Sequence, residues 1–324
     1  MLGLLRGYRL PSIVFLIIYT LLIWSPVLLD LGLSFDFSEK TFIVGNLKSG
    51  LPLLWLCLFV FIAILLGILL SRLASKIQLY RERTVLPLFI FATLLPIMNA
   101  QHLFNNAVFF GLLVLFCLKK ILNSYSSEKL AYQYLSIGTL ISLAGFVSPQ
   151  AFLLLPTTWF GLLLFRPFKW REWVYLLIGV ALPLYFFFAY CYVIQSDLTA
   201  FNNLFIPLSN IELHKISDMK ADLVICSVLW FICVAGIFYV NREPGLKIVL
   251  RRFYILLAIL CTNIFLAILL YPARFPYLAI LMTIPCSLIF SGILLRMKTK
   301  WLASALLWLL VILALSRHIY PLLF

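Results

Sequence analysis

Apolar runs close to twenty residues long recur from one end of the chain to the other, separated by short connections that hold most of the charge. A run of that length is what a helix needs to cross a hydrocarbon layer about 30 Å thick. Such a layer offers no water, so backbone donors and acceptors must pair within a helix or around a closed barrel. The runs are continuous rather than alternating, which selects helices. Composition agrees. Of 324 residues, 65% are hydrophobic and 11% charged, with a mean hydropathy of +1.12. A water-soluble domain cannot hide that much apolar surface. The sequence predicts an all-α, polytopic membrane helix bundle.

Eleven runs are marked, at roughly 11–31, 51–70, 84–99, 103–120, 132–148, 150–166, 172–194, 223–241, 252–270, 275–295 and 301–318. The third and fourth are short and read equally as half-buried helices meeting at an outer turn. Arg6 and Arg9 precede the first run, which is too long for the core of a signal peptide and lacks a small-residue cleavage site. A retained first span is therefore expected. With a cytoplasmic N-terminus, nineteen of the 25 Lys and Arg residues fall in cytoplasmic connections, where such residues concentrate. Lys40, Lys48, Lys215, Lys220, Arg274 and Arg317 fall outside, and the C-terminus lies outside with them. A wrong span count would scramble this alternation. The expected organisation is a membrane module over 1–195, an outer loop over 196–222 and C-terminal membrane helices over 223–324.

The formal net charge of +14 is spread over these connections rather than gathered in a patch, so nucleic acid is not an expected partner. "RPFKWREW", from Arg166 to Trp173, reads as an interfacial anchor. The seven cysteines all lie inside apolar runs, with no CxxC pair and no histidine at ligand spacing. They read as small apolar packing residues, and no protein-held metal or cofactor is expected from them.

The acids sort outward. Asp30, Asp36, Glu39, Asp197, Glu212, Asp218 and Asp222 lie outside, seven of eleven. Acids contribute little to topology. This bias fits plain solvated loops, or chemistry and divalent-cation binding at the outer face. The spans carry almost no ionisable groups near their centres, which argues against an ion-coupled pathway. Polar groups collect instead at the outer edge. Asp36 and Glu39 stand in the first outer loop, Gln101, His102 and Asn106 in "NAQHLFNN", and Arg274 in "YPARFPYL". A carboxylate can serve as general base and a histidine can move a proton. An arginine at headgroup depth can hold a phosphate. Together they resemble the parts of a transferase that uses a lipid-phosphate donor. Each also has a plainer reading, His102 as an interfacial hydrogen-bonding group and Arg274 as a snorkelling anchor.

The order of segments carries a resemblance. A span, an outer acidic loop, a second span, a basic inner loop, two short helices joined at "MNAQHLFNNAVFFGLLVL" and a hairpin tipped by Gly145 and Pro149 follow one another. This order resembles the membrane module of GT-C glycosyltransferases, which use polyprenyl-phosphate-linked sugars. "ARFPYLAILMTIP" looks like that family's later Arg-aromatic motif. The resemblance covers about residues 10–195 and 270–295. It implies Asp36, Glu39 and His102 as catalytic groups and Arg274, Gln101 and Asn106 as substrate-binding groups. It departs from the family at Ser38, which stands where an Asp base is usual beside Glu39. The "FRPFKWREW" segment also resembles an uncharacterised Bacteroidota family of multi-span inner-membrane proteins. Three functions follow as expectations, with a bacterial inner membrane as the location. The first is transfer of a sugar from a polyprenyl-phosphate donor on the outer face. The second is a non-catalytic GT-C-shaped subunit, or lipid-binding partner, of an envelope complex. The third is a transporter or flippase for a lipid or small solute. Membrane lipid and a membrane-protein partner are the expected partners.

Overall fold

The computed structural model describes residues 14–16, 18–20, 52–80, 84–98, 107–124, 130–147, 149–165, 170–195, 220–242, 246–271, 275–297 and 299–323. Ten α-helices are described: α1 Pro52–Lys76, α2 Leu86–Ile97, α3 Ala107–Ser124, α4 Leu130–Val147, α5 Leu154–Phe165, α6 Trp170–Tyr190, α7 Lys220–Asn241, α8 Ile248–Leu270, α9 Phe275–Arg296 and α10 Lys300–Leu323. A 3-10 turn, Pro149–Leu153, leads into α5, and a π turn, Cys191–Gln195, ends α6. No strand occurs among the described residues. Each helix coincides with one of the apolar runs from the second to the eleventh. Of the first run, only 14–16 and 18–20 are described, both helical.

Helix α9 is the centre. Every described side chain from Leu278 to Leu294 is buried, and α9 packs against α1, α2, α3, α7 and α8. A helix apolar all round has no face suited to water, so it is enclosed on every side. The three hydroxyls of this buried stretch do not interrupt the core. Thr283, Ser287 and Ser291 donate to the carbonyls of Ile280, Ile284 and Leu288, three residues back on the same helix. That satisfies groups that would otherwise be costly in a dry interior. Helix α2 is also buried along its whole length. At 12 residues it is only about 18 Å long, short of a hydrocarbon core.

The outside of the bundle is apolar too. Tyr185 and Phe186 on α6, Phe231 and Phe238 on α7, and Trp301 and Ile312 on α10 are all more than half exposed. Apolar area of that extent does not face water in a monomer. Among the described residues, four helices are long and apolar enough to cross a membrane: 170–193, 222–241, 248–270 and 278–296. The chain is a helical membrane protein.

Two devices lock the packing. The first is the crossing of α4 and α6. A Cβ built on Gly138 would overlap the Leu176 carbonyl oxygen, and one on Gly179 would overlap the Leu135 carbonyl oxygen. Backbones approach this closely only where side chains are missing, which is why small residues mark tight membrane helix contacts. The second is a polar knot where α1 and α9 end and α8 begins. Helix α1 stops in a Schellman motif, with Gln78 in the left-handed region at φ 54°. The Leu79 N–H donates to the Ala74 carbonyl at 3.0 Å and the Gln78 N–H to that of Ser75 at 3.1 Å. Lys247 Nζ then donates to Gln78 Oε1 at 3.1 Å. Arg296 donates to the Tyr254 hydroxyl at 3.1 Å and to the Leu79 carbonyl at 3.3 Å. Tyr254 lies across Gly292, where a Cβ would come within 2.5 Å of its hydroxyl. Tyr80 donates to the Leu288 carbonyl at 2.9 Å and shares a hydrogen bond with Ser291. Burial, with the neighbouring Tyr254, pushes the Tyr80 hydroxyl well above its ordinary range against the opposing pull of Ser291 and Arg296. It therefore stays a neutral donor.

Two outcomes are expected. Gly138→Ala forces backbone against backbone and should cost about 1–3 kcal/mol. Gly67→Ala meets only side-chain atoms, Leu88 at 3.1 Å and Phe91 at 3.5 Å, and should cost less; thermal unfolding in detergent compares the two. Arg296→Met removes hydrogen bonds from a charged donor, each contributing about 1.5–3 kcal/mol, whereas Tyr80→Phe should cost only about 1 kcal/mol. The same melts should rank Arg296→Met well below Tyr80→Phe.

Candidate functional site

The helix ends sort into two poles. At one, Lys247 meets Gln78 and Arg296 meets Leu79 and Tyr254, so α1 and α9 end where α8 begins. A Cβ on Gly161 would touch Leu256 at 3.0 Å and Ile121 at 3.3 Å, which brings the ends of α3 and α5 to the same side. Trp159 of α5 stacks on Trp173, in the first turn of α6, at 5.2 Å. Arg72, Lys76, Lys119, Lys120, Arg171, Arg242, Lys247, Arg251, Arg252, Arg296 and Lys300 all belong to helix ends at this pole. The charge alternation read along the sequence thus becomes one basic end of a solid.

The opposite pole gathers the other ends. Cys226, near the start of α7, donates to Met98 Sδ at the end of α2 at 3.6 Å. Gly111, near the start of α3, sits where a Cβ would be 3.5 Å from Ile284 and 3.8 Å from Ile280 of α9. Asn263 of α8 donates to the Leu153 carbonyl and to Thr157, tying α8 to the turn before α5. Asp36, Glu39, Gln101, His102, Asn106 and Arg274 lie outside the described residues. The segments that carry them join the chain at this pole, through the start of α1, the end of α2 and start of α3, and the end of α8 and start of α9. Tyr271 and Phe275, which flank the Arg274 turn, are both buried. A shallow apolar cleft opens between Thr20, α1 and α2, lined by Thr20, Ala63, Gly67, Leu88, Phe91 and Leu95 among others. It offers an acyl chain an apolar surface and nothing to a charged group.

Between the poles the structure assembles a group that residue spacing did not reveal. Cys233 of α7, Cys261 of α8 and Cys286 of α9 are fully buried, with all three sulfurs within 4.8 Å of one another. Cys233 Sγ donates to Cys286 Sγ at 3.2 Å. Their burial fits the reading of small apolar packing residues, but that reading did not foresee that the three would meet. A signal was present: Cys233 and Cys261 each stand thirteen residues beyond the first residue of their helices and Cys286 eleven. Consecutive antiparallel helices set mid-helix residues at one depth. Spacing rules tuned to ligands on a single segment pass over such a set.

Residues 53–320 match a family of unknown function, DUF6427. No curated protein and no solved structure matches the chain.

Proposed function

The chain belongs to DUF6427, and we propose that this member handles a polyprenyl-phosphate-linked sugar at the outer face of a bacterial inner membrane, as a GT-C-like protein of cell-envelope glycan metabolism with eleven spans. One observation carries the reading. The segments bearing Asp36 and Glu39, Gln101 to Asn106, and Arg274 all depart from helix ends at the pole opposite the cations. Basic ends stay cytoplasmic, so this pole faces out. Arg274 would take the lipid phosphate, Asp36 or Glu39 the acceptor proton, and His102 would orient or relay, with Gln101 and Asn106 binding the sugar. The apolar cleft between α1 and α2 suits the lipid tail.

A non-catalytic, lipid-binding subunit is the second reading, favoured by Ser38 at the position of the usual Asp. A flippase would need a polar path across the midplane. Helix α9 fills that region with buried side chains, none of them charged between Leu278 and Leu294, which counts against it.

The test is made in cells that require the protein for an envelope glycan. Removing a general base costs about 10²–10⁴-fold, so Asp36→Asn or Glu39→Gln should abolish the glycan at wild-type protein levels, and Arg274→Ala should do the same. Glycan retained by all three variants removes the proposal. Loss with Arg274→Ala alone selects the lipid-binding subunit over the transferase.

A further inference from the structure

We propose that Cys233, Cys261 and Cys286 form a binding site for one soft, monovalent metal ion of the Cu(I) type, held by three sulfurs from three helices at the centre of the bundle. This stands apart from the lipid-phosphate reading and uses none of its residues.

Geometry is the first ground. A metal–sulfur bond of about 2.3 Å places trigonal ligands about 4.0 Å apart. The three sulfurs lie within 4.8 Å of one another, and the Cys233–Cys286 pair is 3.2 Å apart. An ion therefore enters with sub-ångström adjustment of each side chain. Helices α7, α8 and α9 all pack on one another, so the triangle is fixed from every side.

Chemistry chooses the ion. Thiolate and thioether sulfur select soft metals over the hard cations that prefer oxygen. More sulfur follows on the same helix. Cys226, two turns before Cys233 on the same face of α7, donates to Met98 Sδ at 3.6 Å. These two sulfurs lie on the side of the triad toward the pole where α2 ends. Burial disfavours net charge. A monovalent ion is neutralised by one thiolate with two neutral thiols completing the plane, whereas a divalent ion requires a second ionisation in the dry core. Structural zinc also prefers four tetrahedral ligands. On entry the metal forms three bonds to sulfur and releases a thiol proton, with no change of oxidation state.

The experiment uses the full-length protein, purified in detergent under anaerobic reducing conditions and titrated with Cu(I) against a competing chelator. The expected result is one tightly held equivalent, with an X-ray absorption signature of three sulfurs at about 2.3 Å. Loss of an outer-shell partner typically costs a metal site 10–100-fold. Loss of a ligand should exceed that, so Cys233→Ser, Cys261→Ser and Cys286→Ser should each weaken binding by more than about 100-fold. Cys117→Ser, in α3, should leave it unchanged. Absorption on the wild-type protein keeps the test decisive should a serine variant fail to fold. The proposal is overturned by wild-type protein that takes no Cu(I) from the chelator. It is equally overturned by an equivalent that survives all three substitutions, or by a coordination shell of nitrogen and oxygen.

Discussion

A helix with no wet side sets the terms for the whole molecule. Helix α9 is buried on every described side chain from Leu278 to Leu294, and the helices around it show apolar surface outward as well as inward. Once both faces of the peripheral layer are apolar, water cannot be the solvent for either. Each backbone group must then be satisfied within its own helix. The hydroxyls of Thr283, Ser287 and Ser291 obey the same rule, returning to carbonyls of the helix that carries them. Burying this helix by hydrophobicity alone gains little in lipid, because a hydrocarbon tail is as apolar as a leucine. What holds the bundle is close packing and a few well-paired polar contacts.

Those contacts are unevenly distributed, and the distribution is informative. The basic pole has the knot of Gln78, Lys247, Arg296, Tyr254, Tyr80 and Ser291, which joins the end of α1 to α8 and α9. The opposite pole is joined by softer links, a thiol to a thioether and Asn263 to the turn before α5. One end is clamped by charge-assisted hydrogen bonds; among the described residues, the other is held by neutral ones.

The bundle also shows why proximity in a membrane protein is hard to read along the chain. Gly138 and Gly179 are 41 positions apart, yet each leaves room for the other's backbone neighbours. Cys233, Cys261 and Cys286 come from three helices and meet at one point. Helices α4 and α6 run parallel, pairing Gly138 with Gly179 and Phe146 with Phe187, while α7, α8 and α9 alternate in direction; in both cases residues at matching depth face one another. Depth, rather than spacing, is the coordinate that predicts contact.

The sequence by itself determined the solvent and the secondary structure. Runs of apolar residues near twenty long leave a backbone no choice but helix in lipid, and ten of the eleven runs correspond to described helices. The alternation of Lys and Arg also determined which helix ends would share a pole, because cations avoid the hydrocarbon whatever the packing. Composition could not decide which helix stands at the centre, since α6, α7 and α9 each carry an apolar stretch of membrane-spanning length. Only the tertiary structure put α9 inside and left Phe186 and Phe231 facing out, by fitting small residues and hydroxyls of α9 against five neighbours. It also decided that three cysteines, each unremarkable on its own helix, would share one site, because that depends on the rotation of each helix about its axis. Helix rotation is set by interlocking side chains of different segments, and no single segment carries that information.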